Sequence, residues 1–380
     1  LRIRRSGVRI FSRTLTKVLI NQGLFCYNKE LFGTVIRKDR NVIMHIFEID
    51  RLEQIVGKDR VRKEEPLAKH TTFRIGGPAK WFVEPDSPEQ LAACIKYLEE
   101  VQMQWYILGN GSNLLVADEG YDGVILSLHR MNKEAGQVGE LHQIRILSAD
   151  ASETEKAAVL EEYGVKQCIS TAKAYVSAGA GVMLSTLAAR IADQGLAGFE
   201  FAGGIPGTLG GAVTMNAGAY GGEIKDVIVA AKMIDRTGKI HLFSAEELHL
   251  SYRHSIVQEQ GLIVVSALFA FEQGDRAQIK AQMQELNAKR REKQPLEYGS
   301  AGSTFKRPEG YFAGKLIEDA GLKGYRVGDI MVSKKHCGFV VNVGQGTCAQ
   351  ADAVIRHVQQ TVKEQFGVTL ETEVKRLPEQ

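Results

Sequence analysis

The chain has 380 residues, 44% of them apolar and 24% charged. That is the balance of a globular protein long enough for roughly two to three domains. A formal net charge of +3 is too weak to argue for a nucleic-acid partner, and no apolar run reaches the ~18 residues of a membrane span. Five scattered cysteines, Cys26, Cys94, Cys168, Cys337 and Cys348, contain no CxxC pair; this predicts a reducing cytoplasm, no disulfide framework and no zinc site.

Residues 1–43 are basic and acid-poor, with ten Lys and Arg against Glu30 and Asp39. A transit peptide or a basic tail would look like this. The simpler expectation is that Met44 is the physiological start and that the preceding residues are upstream sequence read in frame. From 45 to 62, Ile46, Ile49, Leu52, Ile55 and Val56 have helical spacing. In His70–Pro85, Phe73 and Ile75, then Trp81 and Val83, alternate like two short strands around Gly76-Gly77-Pro78. Ser87 with Gln90 reads as the N-cap of a helix to about Val101. Strands are expected at Trp105–Leu108, Leu114–Val116 and Val124–Leu128, the first running into Gly109–Asn113.

Between His142 and Ala174 the pattern weakens, with a solvated helix expected at Glu153–Tyr163. A strand at Val176–Ala178 ends in Gly179, and a helix through Leu184, Leu187, Ala188 and Ile191 closes at Gly195. Gly198–Gly222 (GFEFAGGIPGTLGGAVTMNAGAYGG) mixes glycine with Phe199, Phe201, Leu209 and Val213. That composition belongs to buried, tightly turning backbone, which serves close packing and close approach to a ligand equally well. A hairpin follows at Val227–Ile234 and Lys239–Phe243, then a short helix capped by Ser244. A long strand is expected at Ile263–Phe271 and an amphipathic helix at Ile279–Lys293. The remainder reads as a helix (Gly314–Ala320), a strand (Gly338–Val343), a helix (Cys348–Phe366) and a final strand (Thr369–Arg376). This alternation predicts an α+β or α/β architecture.

Neither Gly109-Asn-Gly111 nor Gly179-Ala-Gly181 completes GxGxxG, and GxxxxGK[ST] is absent. What remains is a set of glycine loops at strand ends that a long ligand with a central diphosphate could use together. Gly109–Asn113 is the best single cradle, because Asn and Ser add side-chain donors to exposed backbone N–H groups; alone it is equally a tight turn. His70, His254 and His336 have no metal-ligand spacing, so no metal is expected.

HTTFRIGGPA, ILGNGSNLL, AGAGVMLSTL, GGIPGTLGGAVTMNAGAYGGE, SYRHS, SAGSTFKRP, KLIEDAGLKG and LETEVKRL occur in fixed order between about 50 and 377. Together they resemble the UDP-N-acetylenolpyruvoylglucosamine reductase family, in its compact subtype. The resemblance implies an α+β protein. A two-subdomain FAD-binding region of the vanillyl-alcohol-oxidase type would occupy 44–128 and 129–290, and a substrate-binding α+β domain 291–380. It implies non-covalent FAD, with no tether to His70 or Cys337. NADPH would be the reductant and UDP-N-acetylglucosamine enolpyruvate the substrate, in a cytoplasmic enzyme taken to be a monomer. In the implied reaction NADPH reduces FAD, and hydride then proton add across the enolpyruvyl double bond.

By the same resemblance Arg253 would pair with the substrate carboxylate, Ser303 would be the general acid, and Glu373 would polarise the carboxylate or hold a water. Ser303 needs positive charge or a relay nearby to be an effective acid; Lys306 and Arg307 are close in sequence. Glu371 shares a face with Glu373 on the expected strand, and only the resemblance chooses between them. For FAD it points to Gly109, Asn110, Gly111, Ser112, Asn113 and Leu114, with Gly179, Gly204, Pro206, Gly207, Gly210, Gly218 and Ala219 along the cofactor and Arg74 at a phosphate. Tyr220, Tyr252 and Arg307 are its sugar-nucleotide residues. The segment near 142–174 is longer than the family pattern and is expected to be a surface insertion. Competing readings are an oxidase of the same fold, which would not need Arg253, Ser303 and Glu373, and a colourless nucleotide-sugar-binding protein.

Overall fold

The computed structural model describes residues 48–128, 139–165 and 173–378, with the strand backbones of Leu24–Cys26, Thr34–Arg37 and Val42–His45, which pair antiparallel in that order. The expectation about residues 1–43 and Met44 lies largely outside the described side chains. The first helix is shorter than its apolar spacing suggests, running Ile49–Val56. Beyond it the charged Val61–Pro66 forms an edge strand that no apolar alternation announces.

That strand pairs antiparallel with Pro78–Val83, which lies parallel to Tyr121–Ser127, itself parallel to Trp105–Leu108. The crossover helix Pro88–Glu100 is capped as expected: Ser87 Oγ accepts the Gln90 N–H at 3.3 Å. Phe73 and Ile75 are not in a strand. Residues 71–77 turn, Arg74 and Gly76 have positive φ, and the two apolar side chains are buried in the core of the C-terminal region.

The second sheet is antiparallel in the order Ile240–Ser244, Ile228–Ile234, Ile263–Gln273, Ala174–Gly179, Ile144–Leu147, with Leu196–Ala197 joined to the end of Ile263–Gln273. The segment near 142–174 is therefore more than a surface excursion. Its first strand extends this sheet, and Leu160 of its helix Glu153–Glu162 and the C-cap Tyr163 bury against Tyr175, Val229 and Leu268. Lys156, expected to face water, is 2% exposed and donates to the Ala149 carbonyl. Ser244 and Glu247 exchange backbone–side-chain hydrogen bonds like a cap, but 245–249 remain a turn instead of a helix.

The glycine stretch is packed backbone. Its short helix Leu209–Thr214 lies against Ala180, where a Cβ on Gly210 would stand 3.0 Å from the Ala180 Cβ. Phe199 packs on Phe269 and Phe271 of the sheet, with ring centroids 5.7 and 5.8 Å away. The helix Arg276–Lys293 lies beneath this stretch: Met283 and Asn287 fill the space a side chain on Gly203 would need.

The third sheet is Gly299–Ser300, Val340–Asn342, Ile330–Val332, Arg326–Val327, covered by Cys348–Phe366. That helix starts in a Thr347/Gln350 capping box and ends at Gly367 with φ +71°. Its first amides, Cys348 and Ala349, donate to Asp118 at 2.7 and 3.0 Å, which ties it to the first sheet region. The expected final strand is displaced: only Lys375–Leu377 is strand, and it runs parallel to Leu114–Val116. No described helix is long and apolar enough to cross a membrane.

Candidate active site

The SYRHS segment closes on itself. Ser251 and His254 exchange backbone hydrogen bonds of 3.2 Å, and the tight turn puts Arg253 at φ +57°. Asn216, fully buried, anchors that turn to the glycine stretch by donating to the Ser251 carbonyl at 3.1 Å and the Glu223 carboxylate at 3.0 Å. Side chains held in the left-handed region cost energy that surrounding structure must supply, and they concentrate at working sites. Arg74 and Tyr220 share this conformation, with φ of +57° and +54°.

Arg253 Nε donates to Glu373 Oε1 at 2.7 Å, and the two side chains are 21% and 13% exposed. Glu373 is held in irregular backbone, where its amide donates to the Thr304 carbonyl at 2.9 Å. Glu371 is on the outside, 71% exposed and paired with Lys306 at 3.1 Å. The structure therefore separates the two glutamates that sequence alternation put on one face. Ser303 lines the same cavity of about 360 Å³ as Arg253, Glu373, Tyr252 and Arg307. Tyr252 stacks under the Arg253 guanidinium, and Arg307 lies over Phe312. Lys306 is paired with Glu371 and does not line this cavity. Lys315, Lys323 and Lys335, which sequence reasoning missed, line the cavity with Ser303; Lys315 and Lys323 are paired there with Asp319 and Glu318 at 2.6 and 3.0 Å. The KLIEDAGLKG stretch was the only signal for Lys315 and Lys323, and Lys335 had none. Burial holds the neighbouring His336 below its ordinary pKa, and its Nδ1 accepts the Gly338 amide. Cys337 is buried there, with its thiol pKa raised by desolvation.

A second cavity of about 390 Å³ abuts the first, since Gly302 and Phe339 line one and their neighbours Ser303 and Gly338 the other. Arg74, Gly109, Asn110 and Pro206 line it together with Lys69, His70 and Arg290. Among the described residues the amides of Asn110, Gly111, Ser112 and Asn113 have no protein acceptor. Asn110 instead fixes the loop, donating to the Pro206 carbonyl at 2.7 Å, and Asn113 Nδ2 donates to the Glu373 carbonyl at 3.1 Å. Leu114 is buried at the start of the following strand. Free amides in sequence, with cationic side chains and no carboxylate among the lining residues, suit a diphosphate-bearing cofactor.

The other glycines divide. The Gly179 and Gly210 amides are spent on Gln143 and Ala180 carbonyls at 3.0 and 2.8 Å, so these two serve packing. Gly207 faces the cradle, 3.7 Å from Ser112 Oγ to where its Cβ would stand, and Gly204 abuts Arg290. Gly218 and Ala219 pair with Gly222–Glu223, and Tyr220 at their turn is 48% exposed and lines neither cavity. No group of His, Cys, Asp and Glu among the described residues could hold a metal.

Gly111 makes the sharpest demand on sequence. It sits at φ +58°, and a Cβ would stand 2.2 Å from the His70 carbonyl oxygen. Gly111→Ala should distort the cradle, since the left-handed conformation alone costs about 1–2 kcal/mol. A binding titration is expected to show affinity for the diphosphate-bearing cofactor lowered at least about tenfold, a change of about 1.4 kcal/mol.

Residues 79–244 match the family model of an FAD binding domain, which with the cradle makes this a flavin-binding α+β protein. Residues 294–377 match that of the UDP-N-acetylenolpyruvoylglucosamine reductase C-terminal domain. The reductase of Agathobacter rectalis is 48% identical over 317 residues, 83% of this chain and 94% of the relative. That of Lachnoclostridium phytofermentans is 48% identical over 332 residues, 87% and 97% of the two chains. A solved structure, UDP-N-acetylenolpyruvylglucosamine reductase from Thermus caldophilus, superposes with a TM-score of 0.65 at 31% identity, covering 83% of this chain and 98% of that one. The chain belongs to the UDP-N-acetylenolpyruvoylglucosamine reductase family.

Proposed function

We propose that this protein is the FAD-dependent reductase of UDP-N-acetylglucosamine enolpyruvate, forming UDP-N-acetylmuramate with NADPH as reductant. The observation that carries this reading is the 2.7 Å Arg253–Glu373 pair in one cavity with Ser303, directly beside a cationic cradle of free amides. Bound FAD supplies the two-electron chemistry that links NADPH to the enolpyruvyl double bond. The protein's own residues bind, polarise and protonate.

Addition across an acrylate-like double bond pushes negative charge into the substrate carboxylate, so fixed positive charge there lowers the barrier. Arg253 is oriented for that task, its Nε held by Glu373 while the rest of its planar fork remains for a carboxylate. The Ser303 hydroxyl makes no hydrogen bond to a described residue, and in this reading it delivers the proton to the adjacent carbon. Arg253, Lys315, Lys323 and Lys335 line its cavity with a single carboxylate beside Glu373, that of Glu318, and the excess positive charge favours the alkoxide left behind. The same cations, with Arg307 and Tyr252, are suited to the diphosphate of a sugar nucleotide. The reading makes the protein a cytoplasmic monomer feeding peptidoglycan synthesis, and through it cell shape and division.

An anaerobic two-step absorbance experiment tests this. NADPH should bleach the flavin band, and UDP-N-acetylglucosamine enolpyruvate should restore it. Bleaching that reverses only in air would make the protein an oxidase. No flavin band after reconstitution with FAD would leave a binding protein.

A further inference from the structure

Ser303 stands in its cavity without a hydrogen bond of its own. Among the described residues neither its amide nor its hydroxyl meets a partner, and the Gly302 amide before it meets none either. Gly302 turns the chain at φ +74°, and a Cβ there would stand 3.9 Å from the Ser112 carbonyl oxygen, so no side chain braces the loop on that side.

The bonds that fix the loop begin at Thr304. Its amide donates to the Gly338 carbonyl, its Oγ1 accepts the Val340 amide, and its carbonyl accepts the Glu373 amide, each at 2.9 Å. Beyond it Phe305 bridges to Thr372, and the Lys306 amide donates to the Glu371 carbonyl at 2.9 Å. The chain is extended here, so successive side chains point to opposite sides. Ser303 and Phe305 line the cavity, whereas Thr304 is 4% exposed and lines neither cavity. Valine in place of Thr304 would keep the volume but strip the Val340 amide of its acceptor, in a residue 1% exposed. A buried N–H left unmade is costly, so this hydroxyl ties the Ser303 loop to the strand Val340–Asn342 at one separation.

We propose that Thr304 is a positioning residue for Ser303: its hydroxyl, held by the Val340 amide, sets where the serine hydroxyl stands in the cavity. Glu373 is seated by the Thr304 carbonyl, a backbone bond that a side-chain change keeps. A displacement of about 1 Å at a reacting group can cost about 10²-fold in rate. This rests on the reading of Ser303 as the acid, which the Ser303→Ala arm of the same experiment checks separately.

The test measures flavin reoxidation by UDP-N-acetylglucosamine enolpyruvate in the full chain loaded with FAD. Wild type, Thr304→Val, Thr304→Ser, Ser303→Ala and the Ser303→Ala/Thr304→Val double variant are compared, each below its melting temperature by circular dichroism. Thr304→Val should lower the maximal reoxidation rate at least about tenfold, with the half-saturating substrate concentration and bleaching by NADPH near their wild-type values. Thr304→Ser, which keeps the hydroxyl, should reoxidise like wild type. In the Ser303→Ala background Thr304→Val should cost nothing further, because its effect passes through the missing serine hydroxyl. A threonine that only stabilises the fold would slow both backgrounds alike. That result, an equal loss in Thr304→Ser, or an unchanged rate in Thr304→Val would each overturn the proposal. If Thr304→Val does not fold, Thr304→Ala takes its place with the same expectations. If Ser303→Ala alone reoxidises at the wild-type rate, the acid assignment falls instead.

Discussion

Ser303→Ala should leave flavin bleaching by NADPH at the wild-type rate while reoxidation by the enolpyruvyl sugar nucleotide falls about 10²–10⁴-fold, the usual contribution of a positioned proton donor. The two half-reactions separate because Ser303 lines the cavity with Arg253 and Glu373, and the cradle lies in the neighbouring one. Removing one hydroxyl from a half-buried loop position leaves no buried partner unsatisfied, so the fold should be unaffected. Stopped-flow absorbance at the flavin band measures both steps. If reoxidation persists at the wild-type rate, Ser303 is not the acid, and His336, on the same wall, becomes the group to test.

The second large effect concerns the ion pair. Arg253→Met removes the charge expected to meet the substrate carboxylate and strips Glu373 of its 2.7 Å partner at 13% exposure. Reoxidation should fall about 10²–10³-fold, the scale of losing one oriented donor to a developing anion. Glu373→Gln should cost less, because a neutral amide needs no counter-charge. The double variant should then lose less than the sum of the two, with a coupling of about 0.5–3 kcal/mol. Additive losses would mean that Glu373 and Arg253 act separately. Arg253→Lys is expected to recover little, since a point charge on a flexible stem cannot both hold Glu373 and present a fork.

Much of the scaffold is legible in the sequence where local chemistry dictates it. Ser87 caps its helix through Gln90, and Cys348–Phe366 is bounded by a Thr347 box and a left-handed glycine; both ends are written in adjacent residues. Trp105–Leu108 and Leu114–Val116 are short apolar runs beside glycine, and they form strands with those bounds. The misreadings have a common physical origin in distant partners. Val61–Pro66 is a strand because Pro78–Val83 pairs with it, not because its own residues alternate. Phe73 and Ile75 look like a strand face but are drawn into another region's core.

Site residues follow the same division. Gly109–Asn113 can be recognised locally, whereas Arg253, Ser303 and Glu373 come from three separated segments and were assembled only through the family resemblance. Arg290, Lys315, Lys323 and Lys335 have ordinary surface-like sequence contexts. Their part in the cavities comes from how the Arg276–Lys293 helix and the C-terminal region pack against the glycine stretch, which no local pattern encodes.

The Lys375–Leu377 strand lies parallel to Leu114–Val116, immediately after the cradle. The Asn113 carbonyl accepts the Lys375 amide, and its side chain holds Glu373 across 260 positions of sequence. Closing so long a loop carries a large entropic debt before any contact rewards it, so this pairing belongs late in folding. The flavin loop therefore gains its final support in the same late event that adds the Asn113 contact to Glu373, beside those from Thr304 and Arg253. A chain cut anywhere between the two strands should regain both or neither when its pieces are mixed.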